Sequence, residues 1–425
     1  MARLNDDCFA DGGALTRLDA ALAQLLQRLV PLTEIETCPT GLAAGRALAV
    51  PLAARLPLPP QDNAAVDGYA VYHADLLPGA ATRLPVIGRA AAGHPFAGLQ
   101  PRGAAVKILT GAMMPAAASA GGGPDTVLMQ EDCSETDGHV VIPPGIVPGA
   151  NCRRAGEDVR QGAEILPAGR RLAPGDLALA AAAGHAGLPV FRPLRIALLS
   201  TGDELHEAGQ PLPAGGIHDA NRPLLAALLS GIGCHVSDLG IQPDRQGHLA
   251  GLFAEVSATH DAIVTSGGVS GGEEDHVKAA IAAAGGRLHA WRLAIRPGKP
   301  VALGQVGAVP VIGLPGNPVA AALTFAFFAG PLLQKLGGYI PMPPRGFAVR
   351  SGFRWAKRAG LREWLRVSLE PDGTGGWLAR KYPVDGAGIL SSLVHSDGVL
   401  ALDEDRSGLE PGETALFYPF RELGL

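Results

Sequence analysis

Across residues 194–336, apolar runs rich in Val, Ile and Leu alternate with Ala/Leu stretches at helical spacing, a rhythm that constrains the chain more than any other feature. Strands and helices in that succession pack as a parallel sheet with helices on its faces. The runs predict strands over 195–200, 235–240, 262–265, 289–294 and 309–313, and helices starting near Asn221, Arg245, Glu273 and Asn317. Asn317-Pro318 is a good start, since Asn can cap free amides and Pro in the first turn gives up no needed N–H.

Ligands of such sheets bind outside the carboxyl ends of the strands, so the loops there can be read directly. Four carry unusual sequences: Ser200-Thr201-Gly202-Asp203-Glu204, Ser266-Gly267-Gly268-Val269-Ser270-Gly271-Gly272-Glu273-Glu274-Asp275, Arg296-Pro297-Gly298-Lys299-Pro300 and Leu314-Pro315-Gly316-Asn317-Pro318. Glycines at Gly267, Gly268, Gly271 and Gly272 let successive amides turn toward one anion, and Ser266 and Ser270 add hydroxyls. Arg296 and Lys299 can bring positive charge. A lone Gly-rich loop is as often a plain tight turn; four polar loops on one sheet edge favour a phosphate cradle. Carboxylates beside a phosphate repel it unless a cation intervenes, so Asp203, Glu204, Asp219, Asp244 and Asp275 together point to Mg²⁺. Each acid alone has a plainer reading as a solvated or capping carboxylate. Asp219 could equally cap the helix near Asn221, and Glu273 and Glu274 suit a helix's first turn.

The flanks differ. Residues 15–30 space Leu18, Ala21, Leu22, Leu25 and Leu29 as an amphipathic helix, a packing element. Short β-like runs over 68–72, 104–109, 126–130 and 139–143 predict a small β-rich domain, and residues 347–425 return to short β runs after the linker Pro341-Met342-Pro343-Pro344. At 425 residues several cores are expected; 58 Gly and 36 Pro in a 47% hydrophobic chain signal tight turns rather than disorder. Five cysteines lack a C-x-x-C pair, which removes a disulfide framework and a zinc site. A net charge of −5 without basic runs speaks against nucleic acid. The longest apolar stretch is read at 177–184, too short to cross a bilayer, and the N-terminus lacks a secretory core, so a cytoplasmic protein is expected. Walker A, Rossmann, nucleophile-elbow and Ser-His-Asp patterns are absent.

Two clusters outside the sheet region, Gln61-Asp62-Asn63-Ala64-Ala65-Val66-Asp67-Gly68-Tyr69-Ala70 and Arg153-Arg154-Ala155-Gly156-Glu157-Asp158 with Val159 following, read by themselves as surface turns. Taken with Ser200-Thr201-Gly202-Asp203-Glu204-Leu205, Thr265-Ser266-Gly267-Gly268-Val269-Ser270, Pro297-Gly298-Lys299-Pro300 and Leu314-Pro315-Gly316-Asn317-Pro318, they closely resemble the MoeA family, to which the E domain of gephyrin also belongs. The ordered match runs from about residue 10 to the C-terminus.

The resemblance implies a multidomain α/β protein with four parts. These are a discontinuous linker domain (residues 1–57 and 149–190), an inserted β-rich domain (58–148), a mostly parallel molybdopterin-binding sheet domain (191–337) and a C-terminal barrel-like β domain (338–425). It implies a homodimer that takes adenylylated molybdopterin and molybdate and, with Mg²⁺, releases AMP and molybdenum cofactor, its active site a cleft between subunits. Asp67, Asp158, Glu204 and Asp275 would be the functional acids; together with Asp244, read from the rim acids rather than from the resemblance, Glu204 and Asp275 would be the metal ligands. Substrate contacts would come from Thr110, Thr201, Gly202, Asp219, Asn221, Ser266, Gly267, Gly268, Ser270, Arg292, Arg296, Lys299, Pro300, Pro315, Asn317 and Arg366. Molybdopterin adenylyltransferase and molybdoenzyme maturation proteins are the implied partners.

The chain departs from the family pattern at Ser270-Gly271-Gly272, at Arg292 and Arg296 where lysines are usual, and at Ala359-Gly360-Leu361. Two alternatives compete: a non-catalytic dimeric scaffold, which the retained acids and lysine disfavour, and the adenylyltransferase itself, which typically carries Gly-Gly-Thr-Gly where this chain has Gly-Gly-Val-Ser.

Overall fold

A computed structural model describes residues 15–31, 34–118, 122–268 and 276–425, with backbone alone at 289–292 and 300. Its central sheet comprises Arg195–Thr201 (β1), His235–Gln242 (β2), Ala262–Ser266 (β3), Arg287–Arg292 (β4), Pro300–Val306 (β5) and Val309–Leu314 (β6), in the order β2-β1-β3-β6-β5-β4. Side chains alternate across a strand, and here both faces are apolar because both are covered. Ile196 and Leu198 join a core with Leu225, Leu229, Val319 and Phe328, while Ala197 and Leu199 join another with Leu249, Phe253 and Ile281. The covering helices are Asn221–Gly231 (α1), Gln246–Ser257 (α2), His276–Ala283 (α3) and Pro318–Thr324 (α4).

The four strands β2, β1, β3 and β6 are parallel, as the rhythm predicts. The remaining edge is antiparallel, β6 with β5 and β5 with β4. The turn after Val306 explains it: Gly307 (φ 58°) and Ala308 are too short a link for a parallel crossover and suit a hairpin. β5 itself is missing from the sequence reading because its start, flanked by Pro297, Gly298 and Pro300, looks like loop.

The apolar stretch read as longest, 177–184, is exceeded by Pro318–Leu336, a 19-residue helical run of mean hydropathy 1.5. By length and composition it could cross a membrane; in the fold it is 83% buried and forms core. A π turn at Phe325–Ala329 seats Phe325 and Phe328 there.

Around this unit lie three others. A six-stranded sheet takes in Gly68–Val71, Thr82–Ala90, Ala105–Ile108, Thr126–Met129, Ser134–Thr136 and His139–Ile142. Ile35–Pro39 pairs with Gly187–Phe191, and Leu52–Ala53 with Glu164–Leu166, so segments before and after that sheet share a core of Leu48, Leu172 and Leu188. Helix Leu18–Arg28 packs elsewhere, sending Leu18, Ala21 and Leu25 into the central-sheet core.

At the C-terminal end Phe347–Ser351 (β7), Arg362–Pro371 (β8), Trp377–Lys381 (β9), Gly398–Leu402 (β10) and Thr414–Pro419 (β11) pair in the ring β8-β9-β7-β11-β10 and back to β8. Closure leaves a sheet without free edges and encloses Val349, Leu365, Val367, Leu400 and Phe417. A parallel bridge of Ile295 and Arg296 with Arg362 and Glu363 ties the barrel to the central sheet.

Candidate functional site

Ser200, Ser266 and Leu314 stand in register across β1, β3 and β6, so the loops after them leave the sheet at one level. β5 runs the other way and starts at that same rim, with Ala302 opposite Gly313. The predicted loops therefore converge. Their floor is a cavity of about 460 Å³ lined by Thr201, Gly202, Glu204, Asn221, Asp244, Ser266, Gly267, Gly268, Gly298, Pro315 and Asn317 among others.

Asn221, the first residue of α1, ties two of the loops together: its Nδ2 donates to Ser266 Oγ (2.7 Å) and to the Gly316 carbonyl (2.6 Å). Gly267 has φ 92°, and a Cβ there would lie 2.4 Å from the Thr201 carbonyl oxygen. The close approach of the first two loops requires glycine. Asp219 has the capping role: Oδ1 accepts from the Asn221 and Arg222 amides at 3.0 and 3.1 Å, and it does not line the cavity. Asn317 occupies the cap position of α4 but makes no side-chain cap, contrary to the sequence expectation; it is exposed on the cavity wall.

Electrostatics single out Asp244. Burial pushes its carboxyl above the ordinary aspartate value, and the charges of Asp203 and Glu204 push the same way, against the Thr201 hydroxyl and His276. Its Oδ1, like Asn221 Oδ1, is buried without a hydrogen-bond partner. Such a carboxylate is suited to a cation. Among the described residues no group of three or more His, Cys, Asp and Glu converges in metal-holding geometry. Asp275, the third predicted ligand, and Ser270 lie outside the described residues, as do the side chains of Arg292 and Pro300.

A second cavity, of about 360 Å³, adjoins the first and shares Gly298 and Ala387 with it. Arg296, Lys299, Glu363, Trp364, Arg366, Asp385 and Trp355 line it, so it lies between the central sheet and the barrel. Arg366 is buried; Nε donates to Ser392 Oγ (3.1 Å) and a terminal nitrogen to the Gly386 carbonyl (3.0 Å). Burial lowers its guanidinium from the usual arginine value, against Asp385 and Glu363. Arg296 pairs with Glu363 at 3.3 Å.

Asp67, Thr110 and Asp158 line neither cavity. The Thr110 hydroxyl and amide both donate to Asp67 Oδ1 (2.6 and 2.7 Å) and hold that carboxyl below its ordinary value. The Asp158 side chain is exposed and its amide donates to the Leu58 carbonyl (2.9 Å). Asp62 joins the two clusters, accepting from Arg154 (2.7 Å) and the Ala155 amide (2.8 Å). Sequence reasoning missed Trp355, Glu363 and Asp385. Glu363 could have been found from its place in the alternating Arg362-Glu363-Trp364-Leu365-Arg366 run; Trp355, on a two-residue strand, carries no signal.

Comparison with known proteins places these features. Residues 16–184 match the family model described as the MoeA N-terminal region (domain I and II), residues 197–335 a probable molybdopterin binding domain, and residues 348–420 the MoeA C-terminal region (domain IV). A molybdopterin molybdenumtransferase of Haemophilus influenzae is 36% identical over 408 residues, 96% of this chain and 99% of that protein. A molybdopterin molybdenumtransferase 2 of Mycobacterium tuberculosis is 33% identical over 90% of this chain and 94% of its own. The crystal structure of a molybdopterin biosynthesis moeA protein from Pyrococcus horikoshii OT3 superposes with a TM-score of 0.80 at 26% identity, covering 96% of this chain and 100% of that one. The chain belongs to the MoeA family.

Proposed function

We propose that this protein is a molybdopterin molybdenumtransferase, which inserts molybdenum from molybdate into adenylylated molybdopterin and releases AMP. The observation that carries the reading is the pair of adjoining cavities: one rich in backbone amides, hydroxyls and carboxylates, the other walled by Arg296, Lys299 and Arg366. The Gly268 amide and the Ser266 hydroxyl suit a phosphate, while the Gly267 amide is already bonded to the Leu314 carbonyl (3.2 Å) and helps shape the loop, and the cationic side chains suit a tetrahedral oxyanion beside it. Relatives bearing the transferase name cover nearly the whole chain.

Glu204 and Asp244, with Asp275, would hold Mg²⁺, a hard cation that prefers oxygen donors. When bound, it would supply charge neutralisation at the phosphoanhydride. The unpartnered Asp244 Oδ1, and the push of the neighbouring Asp203 and Glu204 charges on the Asp244 carboxyl, fit that ion. The Asn221 bridge keeps Ser266 and the Gly316 carbonyl at fixed spacing while the substrate docks. Asp67, Thr110 and Asp158 would complete the cleft of a second copy in a cytoplasmic homodimer, since they lie away from the cavities of their own chain.

The test is incubation with adenylylated molybdopterin, molybdate and Mg²⁺. AMP should accumulate only when all three are present; none in the full mixture would rule the reading out.

A further inference from the structure

We propose that Glu363 is a positioning residue, which tethers one edge of the Arg296 guanidinium so that its other N–H groups face an oxyanion in the cavity between sheet and barrel. The inference rests on the transferase reading for the identity of the anion and on geometry for everything else.

Backbone register begins the argument. Arg296 and Glu363 are partners in the parallel bridge that joins barrel to central sheet, so their side chains leave neighbouring backbones. Arg296 is 60% exposed in the cavity wall, whereas Glu363 is 6% exposed. A long side chain on an exposed wall samples many rotamers, and a buried partner selects one. Glu363 Oε1 meets Arg296 NH1 at 3.3 Å, while Oε2 accepts from the Trp355 indole N–H at 3.2 Å. Both carboxylate oxygens are engaged, so the acid cannot swing away.

Trp355 is fixed in turn. Lys381 lies over its ring, 5.0 Å from the centroid, and pairs with Asp385 at 2.6 Å, which lines the same cavity. The chemistry explains why arginine works here. A guanidinium presents five donors in a rigid fork, so one edge can hold Glu363 while the other stays free. A lysine ammonium would divide a single point charge between carboxylate and ligand. An untethered carboxylate at this wall would repel the anion, so Glu363 helps only as one half of the pair.

A binding cycle tests the proposal. Molybdate is titrated calorimetrically, with Mg²⁺ present, into the full chain, Glu363→Gln, Arg296→Ala and the double variant, and thermal unfolding is recorded for each. Glu363→Gln should weaken molybdate binding about tenfold, the scale of one oriented charge-assisted hydrogen bond. In the Arg296→Ala background the same change should bring no loss, because its effect travels through the arginine and the acid left untethered only repels the anion. Equal losses in both backgrounds, no loss in the first, or no molybdate binding by the unaltered protein would overturn it. Should Glu363→Gln fail to fold, Trp355→Phe keeps the ring and removes the N–H anchor; it must weaken binding only when Arg296 is present. If the cycle behaves as predicted while adenylylated molybdopterin yields no AMP, the transferase reading falls and the role of Glu363 stands.

Discussion

Asp244 sits half-buried at the rim with a raised carboxyl, first through burial and then through Asp203 and Glu204. A carboxyl raised by folding contributes stability while protonated, below its unfolded value of about 4, and loses it as pH climbs through the folded value. Asp244→Asn should therefore melt progressively higher than the unaltered protein as pH rises from about 4 toward neutrality. Added Mg²⁺ should raise the melting temperature of the unaltered protein and leave that of Asp244→Asn in place, read by calorimetry with EDTA as the control. Gly267 gives a second residue-scale prediction. A Cβ there meets backbone, 2.4 Å from the Thr201 oxygen, at φ 92°. Gly267→Ala should cost about 1–3 kcal/mol in denaturant titration and impair substrate binding.

At the scale of elements the sheet is held by two apolar faces. Phe253 is fully buried on α2 against Leu199 and Ile281, so Phe253→Ala should lose about 3–5 kcal/mol in denaturant titration. AMP release by the fraction still folded should be unchanged, since Phe253 lies about two turns into α2 and does not line the rim cavity. These elements were legible in the sequence because continuous apolar runs and helical spacings alternate clearly between residues 195 and 266 and because Pro318 follows a capping-type residue. β5 was not legible, its opening proline and the glycine before it being the very residues that mark loops. The antiparallel edge followed from the same gap: a strand that is not seen cannot reverse the chain. The Asn317 cap was expected from residue type, but orientation depends on neighbours that the local sequence does not contain.

Across the whole molecule the rim loops announced themselves through composition, and the structure gathers Thr201, Glu204, Asn221, Asp244, Ser266 and Asn317 into one hollow. The neighbouring cavity was less legible. Arg296 and Arg366 are 70 positions apart, and only the bridge between central sheet and barrel makes them neighbours. Asp67 and Asp158 read as turns for a plain reason, because in their own chain they are surface residues of the inserted sheet's surroundings. If a second copy uses them, Asp67→Asn and Glu204→Gln, each inactive alone, should regain about a quarter of full AMP release after mixing and exchange, since half the dimers are mixed and each has one intact cleft. No recovery, with exchange verified by mass, would place all the acids in one subunit's cleft.

The central claim, that the carboxylates at the sheet rim act on a phosphate-bearing substrate, is tested most directly by single-turnover AMP release from adenylylated molybdopterin. The unaltered protein and Glu204→Gln are compared at equal folded concentration with molybdate and Mg²⁺. The account predicts a fall of about a hundredfold or more in the variant at unchanged stability; equal rates would contradict it.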